Sequence, residues 1–373
     1  MLHVDIPSQA DIKALAAHRG SICVSIYIPT TPLSQETAHD RIELKNLVKS
    51  AEQQLHDAGA DKREIAATVE HIDDLIDDEE FWRLQARGLA ILATPENART
   101  FRIPTTLQPL LEVSDRFLLK PLLRTVSFPN AAYVLALAEG GVRLIHVVAD
   151  LPPTSIKVDS MPKDAASSVR KASINHRSPS GRIEGSEGQK VRLRQYARQV
   201  DHALRALLTG SELPLILASS QPLAPIFRSV NTYAHLPAAG IDGSPGAMTD
   251  GQLAERARAV LDQLYADDIA HWKQVFATRN EQDRATTDIA HAARAATFGA
   301  VETMLVDIDE VIPGTVDEKD GSVSFATKPG ALSYGIVDEI ASRVIRSGGK
   351  VIGVRKADLP DGKSLAAILR YAI

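Results

Sequence analysis

Apolar residues recur along this chain in two periods, and the periods alternate. CVSIYIP is a short β-rich apolar run closed by Pro29. From about Ala38 to His56 the apolar positions Leu44, Leu47, Val48, Ala51 and Leu55 fall at helical spacing. Ile65, Val69, Ile72 and Ile76 repeat that spacing in a second helix. GLAILAT and ARTFRIP predict a strand pair around the turn PEN. After Phe128 and Pro129, AYVLALAEGGVRLIHVVAD predicts a hairpin with Glu-Gly-Gly at its turn. Residues 151–188 are polar, rich in Ser, Pro, Lys and Arg, and almost without apolar period, so they predict a long mobile loop. A helix from Gln189 to Leu208 follows, with Leu193, Tyr196, Ala197, Val200, Leu204 and Leu207 inward. Then come the strand LPLILAS, a helix around Pro222–Tyr233, and a long helix over Asp250–Lys273.

The last part opens with an Ala-rich helix over Glu281–Thr297, stopped at Phe298-Gly299. AVETMLVD is a strand, Ile308–Lys328 is turn-rich, and Gly330–Ser347 is a helix ended by Gly348-Gly349. KVIGV and LAAILRYAI supply the last strands. Strand and helix alternate, which predicts an α/β fold built on a sandwiched, largely parallel sheet. Three consecutive α/β domains are expected, over residues 1–127, 128–275 and 276–373, the last an α/β/α sandwich.

Composition narrows the function. The chain has 373 residues, 44% hydrophobic and 24% charged, with a net charge of −5. It is no bulk polycation, so nucleic-acid binding must come from a local patch. The single Cys23 sits in an apolar run and reads as a core residue; it excludes an internal disulfide and a Cys-based zinc site. The N-terminus lacks a secretory pattern and no apolar stretch reaches about 18 residues, so no membrane association and a cytoplasmic location are expected. The acidic run from His71 to Glu80 reads as the solvated face of a helix whose inward stripe is already explained. Arg41, Lys45 and Lys49 form a basic row on the first long helix. Glu302 reads as a fold-specific polar contact, and Trp82 and Trp272 as packing residues. No metal and no cofactor are expected.

The densest chemistry lies at SPSGRIEGSEGQKVRLRQYARQ. From Lys163 to Arg198 there are nine Lys or Arg against three Asp or Glu. Lys190, Arg194 and Arg198 are four apart and share an outer helix face, with Arg182 and Arg192 beside them. Such a patch next to a Gly/Ser loop suits contact with a phosphate backbone; a solvated basic face is the alternative. Ser186-Glu187-Gly188-Gln189 fits a capping box, in which Gln189 reaches back to the amide of Ser186. A cap, however, does not need Gly188, which costs roughly 1 kcal/mol against Ala in a helix.

GSEGQKVRLRQYARQVDHALRAL resembles the tip loop and following helix in the middle domain of archaeal and eukaryotic peptide-chain release factors, where Gly-Gly-Gln precedes a basic helix. AATFGAVETMLVD is similar to the C-terminal domain of release factors and their Pelota relatives. GGKVIGVRKADLPDGKSLAAILRY and VSIYIPT resemble the bacterial branch of that superfamily. The resemblance implies three α/β domains in a release-factor-like arrangement. It implies a translation factor that binds the ribosome and ribosomal RNA at the tRNA site, in rescue, stress or hibernation, with peptidyl-tRNA and a translational GTPase as further partners and no DNA. Gly188 and Gln189 match the last two positions of Gly-Gly-Gln, which in the family helps to place water against the ester of peptidyl-tRNA. Glu187 stands where the first glycine would be, and its bulk and charge oppose close approach to RNA. Two alternatives stand beside this: a peptidyl-tRNA hydrolase using the altered Glu-Gly-Gln loop, and a protein-interaction module without an RNA partner. No counterpart of the stop-codon motifs is seen in the first domain, so decoding is not implied.

Overall fold

The computed structural model describes residues 4–31, 37–127, 131–149, 151–172, 186–328 and 330–372. The α/β class is borne out, with several sheets. Two compact units emerge: Met1–Phe128 together with Asp268–Ile373, and Pro129–Asp267.

The N-terminal segment carries α1 (Gln9–Ala17), β1 (Cys23–Pro29), α2 (Thr37–Asp57), α3 (Lys62–Asp77), α4 (Glu79–Arg83), β2 (Gly88–Ala93), β3 (Ala98–Ile103), β4 (Leu110–Ser114) and α5 (Lys120–Ser127). Its sheet has the order β3-β2-β1-β4 and is antiparallel throughout. The largely parallel sheet expected from alternation is therefore corrected here. The reason lies in the connection: two long helices, α2 and α3, separate β1 from β2, and an even number of passes returns the chain antiparallel where one helix would make it parallel. Ile22, Val24, Ile26 and Ile28 face Leu44, Val48, Ile65, Ile72, Ile76 and Trp82 in one core. Cys23 is buried with the opposite face of the sheet.

The middle unit carries β5 (Ala131–Ala138), β6 (Gly141–Val148), β7 (Thr154–Ile156), α6 (Ala165–Ala172), α7 (Ser186–Leu208), β8 (Leu215–Ser219), α8 (Leu223–Val230), β9 (Ile241–Asp242) and the start of α9 (Asp250–Asn280). β5 and β6 form the expected hairpin, and β8 and β9 add in parallel to give the order β7-β6-β5-β8-β9. The mobile loop over 151–188 is corrected in part. Residues 151–172 contain β7, which pairs with β6, and α6, whose first turn is held by an Asp164–Ser167 exchange of hydrogen bonds. Local polar side chains, edge pairing and scattered apolar residues (Ile156, Val158, Met161 and Ala165 against the core around α7), not a regular apolar period, build this piece, so periodicity passes over it.

The C-terminal segment carries β10 (Ala285–Thr286), α10 (Ile289–Thr297), β11 (Val301–Asp307), β12 (Pro313–Val316), β13 (Val323–Phe325), β14 (Tyr334–Gly335), α11 (Ile336–Arg346), β15 (Lys350–Val354) and β16 (Leu365–Leu369). The main sheet runs β10-β16-β11-β15; β11 and β15, joined through the single long helix α11, are parallel, while β16 and β10 are antiparallel. The turn-rich stretch yields a small sheet, β13-β12-β14. The helix expected from Glu281 starts only at Ile289, where Asp288 caps it by accepting the His291 N–H at 2.7 Å. α11 ends at the expected glycines: Gly348 lies at φ 78°, and the Gly349 N–H reaches the Val344 carbonyl at 2.8 Å.

The N- and C-terminal segments share one core. Ile12, Leu15, Tyr27, Leu118 and Leu122 pack with Ala296, Met304, Ile336, Ile340 and Val344. Buried charges accompany it. Glu339 is 1% exposed and is met by Arg19 at 2.8 Å, Arg116 at 2.7 Å, Arg343 at 2.7 Å and Arg346 at 3.5 Å. The Arg116 guanidinium lies over the Tyr334 ring at 3.8 Å. Asp338 accepts the N–H groups of Leu119 and Lys120 at 2.8 and 2.7 Å, and Lys120 donates its ammonium to the carbonyls of Asp307 and Glu310.

Candidate nucleic-acid interface

α7 is held by its apolar stripe. Leu193, Tyr196, Ala197, Val200, Leu204 and Leu208 are buried against Leu135, Leu137, Leu215, Leu217 and Phe227. The Tyr196 hydroxyl donates to the Ala138 carbonyl at 3.1 Å, and burial pushes that phenol's pKa up. Gln199 donates to the Ser168 carbonyl at 3.2 Å, tying α7 to α6. Asp201, 4% exposed, accepts the Thr232 N–H at 2.8 Å and pairs with Arg205 at 3.0 Å. Position and rotation of α7 are thus fixed at three levels along its length.

Gly188 and Gln189 lie in the first turn of α7, Gly188 buried and Gln189 exposed. The Gln189 side-chain amide stands 3.5 Å from a carboxylate oxygen of Glu139, at the turn between β5 and β6. The side chains of Ser186 and Glu187, and all of Arg182, lie outside the described residues, so the capping box and the first position of the motif are named here without geometry. Two of the motif positions are therefore set on a helix end packed against a hairpin turn.

Lys190, Arg192, Arg194 and Arg198 are all exposed. At about 100° per residue, Lys190, Arg194 and Arg198 follow one another along one flank, over two turns or roughly 12 Å. Arg192 points to another flank, where its Nε donates to the Gly188 carbonyl at 3.4 Å. About two turns past Arg198 the next Lys or Arg, Arg205, is matched by Asp201, which bounds the row. Residues 129–267 carry fifteen Lys or Arg against thirteen Asp or Glu, a balance of +2 in a chain of −5. The basic row on α2 is shorter than its spacing promised, since Arg41 stacks over Trp82 at 5.7 Å. Among the described residues no group of His, Cys, Asp and Glu is arranged to hold a metal ion. No described helix is long and apolar enough to cross a membrane.

Sequence reading missed the charges buried in the first unit. Their signal was present: Asp338, Glu339 and Arg343 interrupt the inward stripe Ile336, Ile340, Val344, and all three are buried. It also misread Glu302, which is exposed and makes no hydrogen bond or ion pair among the described residues, because the strand register shifts between Val301 and Thr303 and turns it outward.

Residues 129–267 match the family model of the bacterial archaeo-eukaryotic release factor family 11. No curated protein matches the chain. Solved structures with a similar course include an archaeal translation termination factor, aRF1, at 14% identity over 98% of this chain and 99% of that one, TM-score 0.25. Dom34 of S. cerevisiae, described as a termination-like factor in RNA quality control that interacts with Hbs1, is 14% identical over 74% of each chain, TM-score 0.42. Pelota of Archaeoglobus fulgidus is 11% identical over 99% of this chain and 94% of that one, TM-score 0.33. The resemblance drawn from the motifs is thus met by the family model in residues 129–267, where α7 and its basic row lie.

Proposed function

We propose that this protein is a ribosome-associated translation factor that binds at the tRNA site through α7 and acts in ribosome rescue, stress or hibernation. The observation that carries this reading is the family match over the middle unit, whose motif helix presents Arg194 and Arg198 to solvent on one flank. Cations so placed bind phosphates without reading bases, which suits a factor that must fit ribosomal RNA at any codon. The reading takes the ribosome and ribosomal RNA as partners, with a peptidyl-tRNA beneath the Gly188–Gln189 turn and a translational GTPase as helper. The test is co-sedimentation with purified ribosomes over a salt series, wild type beside Arg194→Glu with Arg198→Glu. Binding that weakens with salt and is lost in the double variant supports the reading. Binding indifferent to both, or directed to a protein alone, overturns it in favour of a protein-interaction module.

A hydrolytic reading draws on the exposed Gln189 amide beside the Glu139 carboxylate. It requires peptidyl-tRNA ester cleavage that vanishes in Gln189→Ala. Glu187 in place of glycine argues for binding without cleavage.

A further inference from the structure

The first unit holds a cavity of about 310 Å³ between the second half of α9 and the outer face of the C-terminal sheet. Asp268, His271, Trp272 and Val275 face it from α9, at spacings of three, four and seven residues that place them on one side of a helix. Glu302 and Thr303 come from β11, Lys350 and Ile352 from β15, and Ile368 from β16. The floor is apolar and buried: Ile269, Trp272, Ile352 and Ile368 are each under a tenth exposed. Trp272 is a fixed wall, its indole N–H bonded to the Thr303 hydroxyl at 2.8 Å and its ring stacked on Phe276 at 5.3 Å.

The rim is charged with both signs. Asp268, His271, Glu302 and Lys350 are exposed, and none of their side chains makes a hydrogen bond or ion pair among the described residues. Glu302 stands there because of a register shift between Val301 and Thr303, the kind of irregularity that re-aims a side chain next to a binding site. Two carboxylates, an ammonium and an imidazole thus ring an apolar, pre-formed floor. The volume lies at the lower end of the range for small-molecule sites, about 300–1,000 Å³.

We infer that this cavity binds a small zwitterion with an apolar body, of the class of the free apolar α-amino acids. The apolar side chain rests on Ile352, Ile368 and the face of Trp272. The ammonium faces Asp268 and Glu302, and the carboxylate faces Lys350. Both charges are needed, because a carboxylate or ammonium brought to an apolar floor without its counter-charge loses hydration and gains nothing.

The test is isothermal titration of the full chain with L-leucine, L-phenylalanine and L-tryptophan, beside their N-acetyl and amide derivatives. Saturable binding of at least one amino acid is expected, weakened at least about tenfold when either charge is blocked. Lys350→Glu should weaken the free amino acid by a similar factor while leaving its amide less affected, and Glu302→Lys should do the converse with the N-acetyl form. Both sites are exposed, and circular dichroism checks that the variants fold. No saturable binding of any of the three amino acids overturns the inference. Equal binding of the neutral derivatives, which would make the cavity an apolar trap only, overturns it as well.

Discussion

Glu112 and Asp338 show how a buried carboxyl sets the pH response of the first unit. Burial, with the charge of Asp338 nearby, pushes the Glu112 pKa up to about 8, and burial pushes Asp338 up to about 6 against the pull of Lys120 and two backbone N–H groups. Both carboxyls hold a proton in the fold at pH values where the unfolded chain has lost it. Between about pH 4 and pH 8 these two groups therefore bind more protons in the native state, and the stability they contribute falls as pH rises. Glu339 has the opposite sign. Burial pushes its pKa up, but Arg116, Arg19 and Arg343 outweigh that and hold it below the usual value, so its contribution is present near neutrality and is lost as pH falls. The thermal midpoint at pH 8.5 is expected below that at pH 6, and Glu112→Gln should remove much of the difference. Gln keeps an oxygen to accept the Gly335 N–H, now 3.2 Å from Glu112, without the titration. A midpoint as high at pH 8.5 as at pH 6 in the wild type, unchanged in Glu112→Gln, would count against a raised Glu112 pKa.

At the scale of elements, most long periodic segments were legible. The strands GLAILAT, ARTFRIP, LPLILAS, AVETMLVD and KVIGV and the helices α2, α3 and α7 stand where their apolar periods put them, whereas the helix expected from Gly330 starts only at Ile336, after the short strand β14. What escaped lies where period is not the cause. α6 and β7 rest on Asp164, Ser167 and edge pairing, and strand direction depends on how many helices intervene, which no local window records. The candidate site was legible only in part. The stripe fixes which way α7 faces, while the contact of Gln189 with Glu139 joins residues fifty positions apart. A further non-local contact governs how α5 seats on β15. A Cβ on Gly353 would stand 2.7 Å from the Arg124 backbone nitrogen and 2.9 Å from the Ile308 side chain, and the Gly353 N–H reaches the Ser127 hydroxyl at 3.1 Å. Gly353→Ala must push the α5 backbone away, at a cost of about 1–3 kcal/mol. A urea denaturation curve with an unchanged midpoint would show that α5 has room to spare.

The molecule is a discontinuous unit with a second unit inserted in its chain. Tyr27 and Leu118 from the N-terminal side share a core with Ile336 and Ile340 from the C-terminal side, and Glu339 of α11 is neutralised partly by Arg19 and Arg116. Residues 276–373 alone would expose that apolar face and leave Glu339 without two of its arginines. Removing one side of a buried ion pair costs roughly 3–5 kcal/mol, a large part of a domain's stability. The two chain ends that lead to the insertion lie together, since Ser127 and Asp268 line the same cavity of about 310 Å³. A short flexible linker can therefore replace residues 129–267 without stretching the first unit, because loop closure over so small a gap costs little. The linked protein, residues 1–128 joined to 268–373, is expected to be monodisperse on gel filtration and to unfold in one cooperative transition, whereas 276–373 alone should show neither behaviour. If 276–373 alone folds cooperatively, the shared core is not what holds the C-terminal sheet. If the linked protein aggregates while the full chain does not, the first unit depends on the insertion for more than connection.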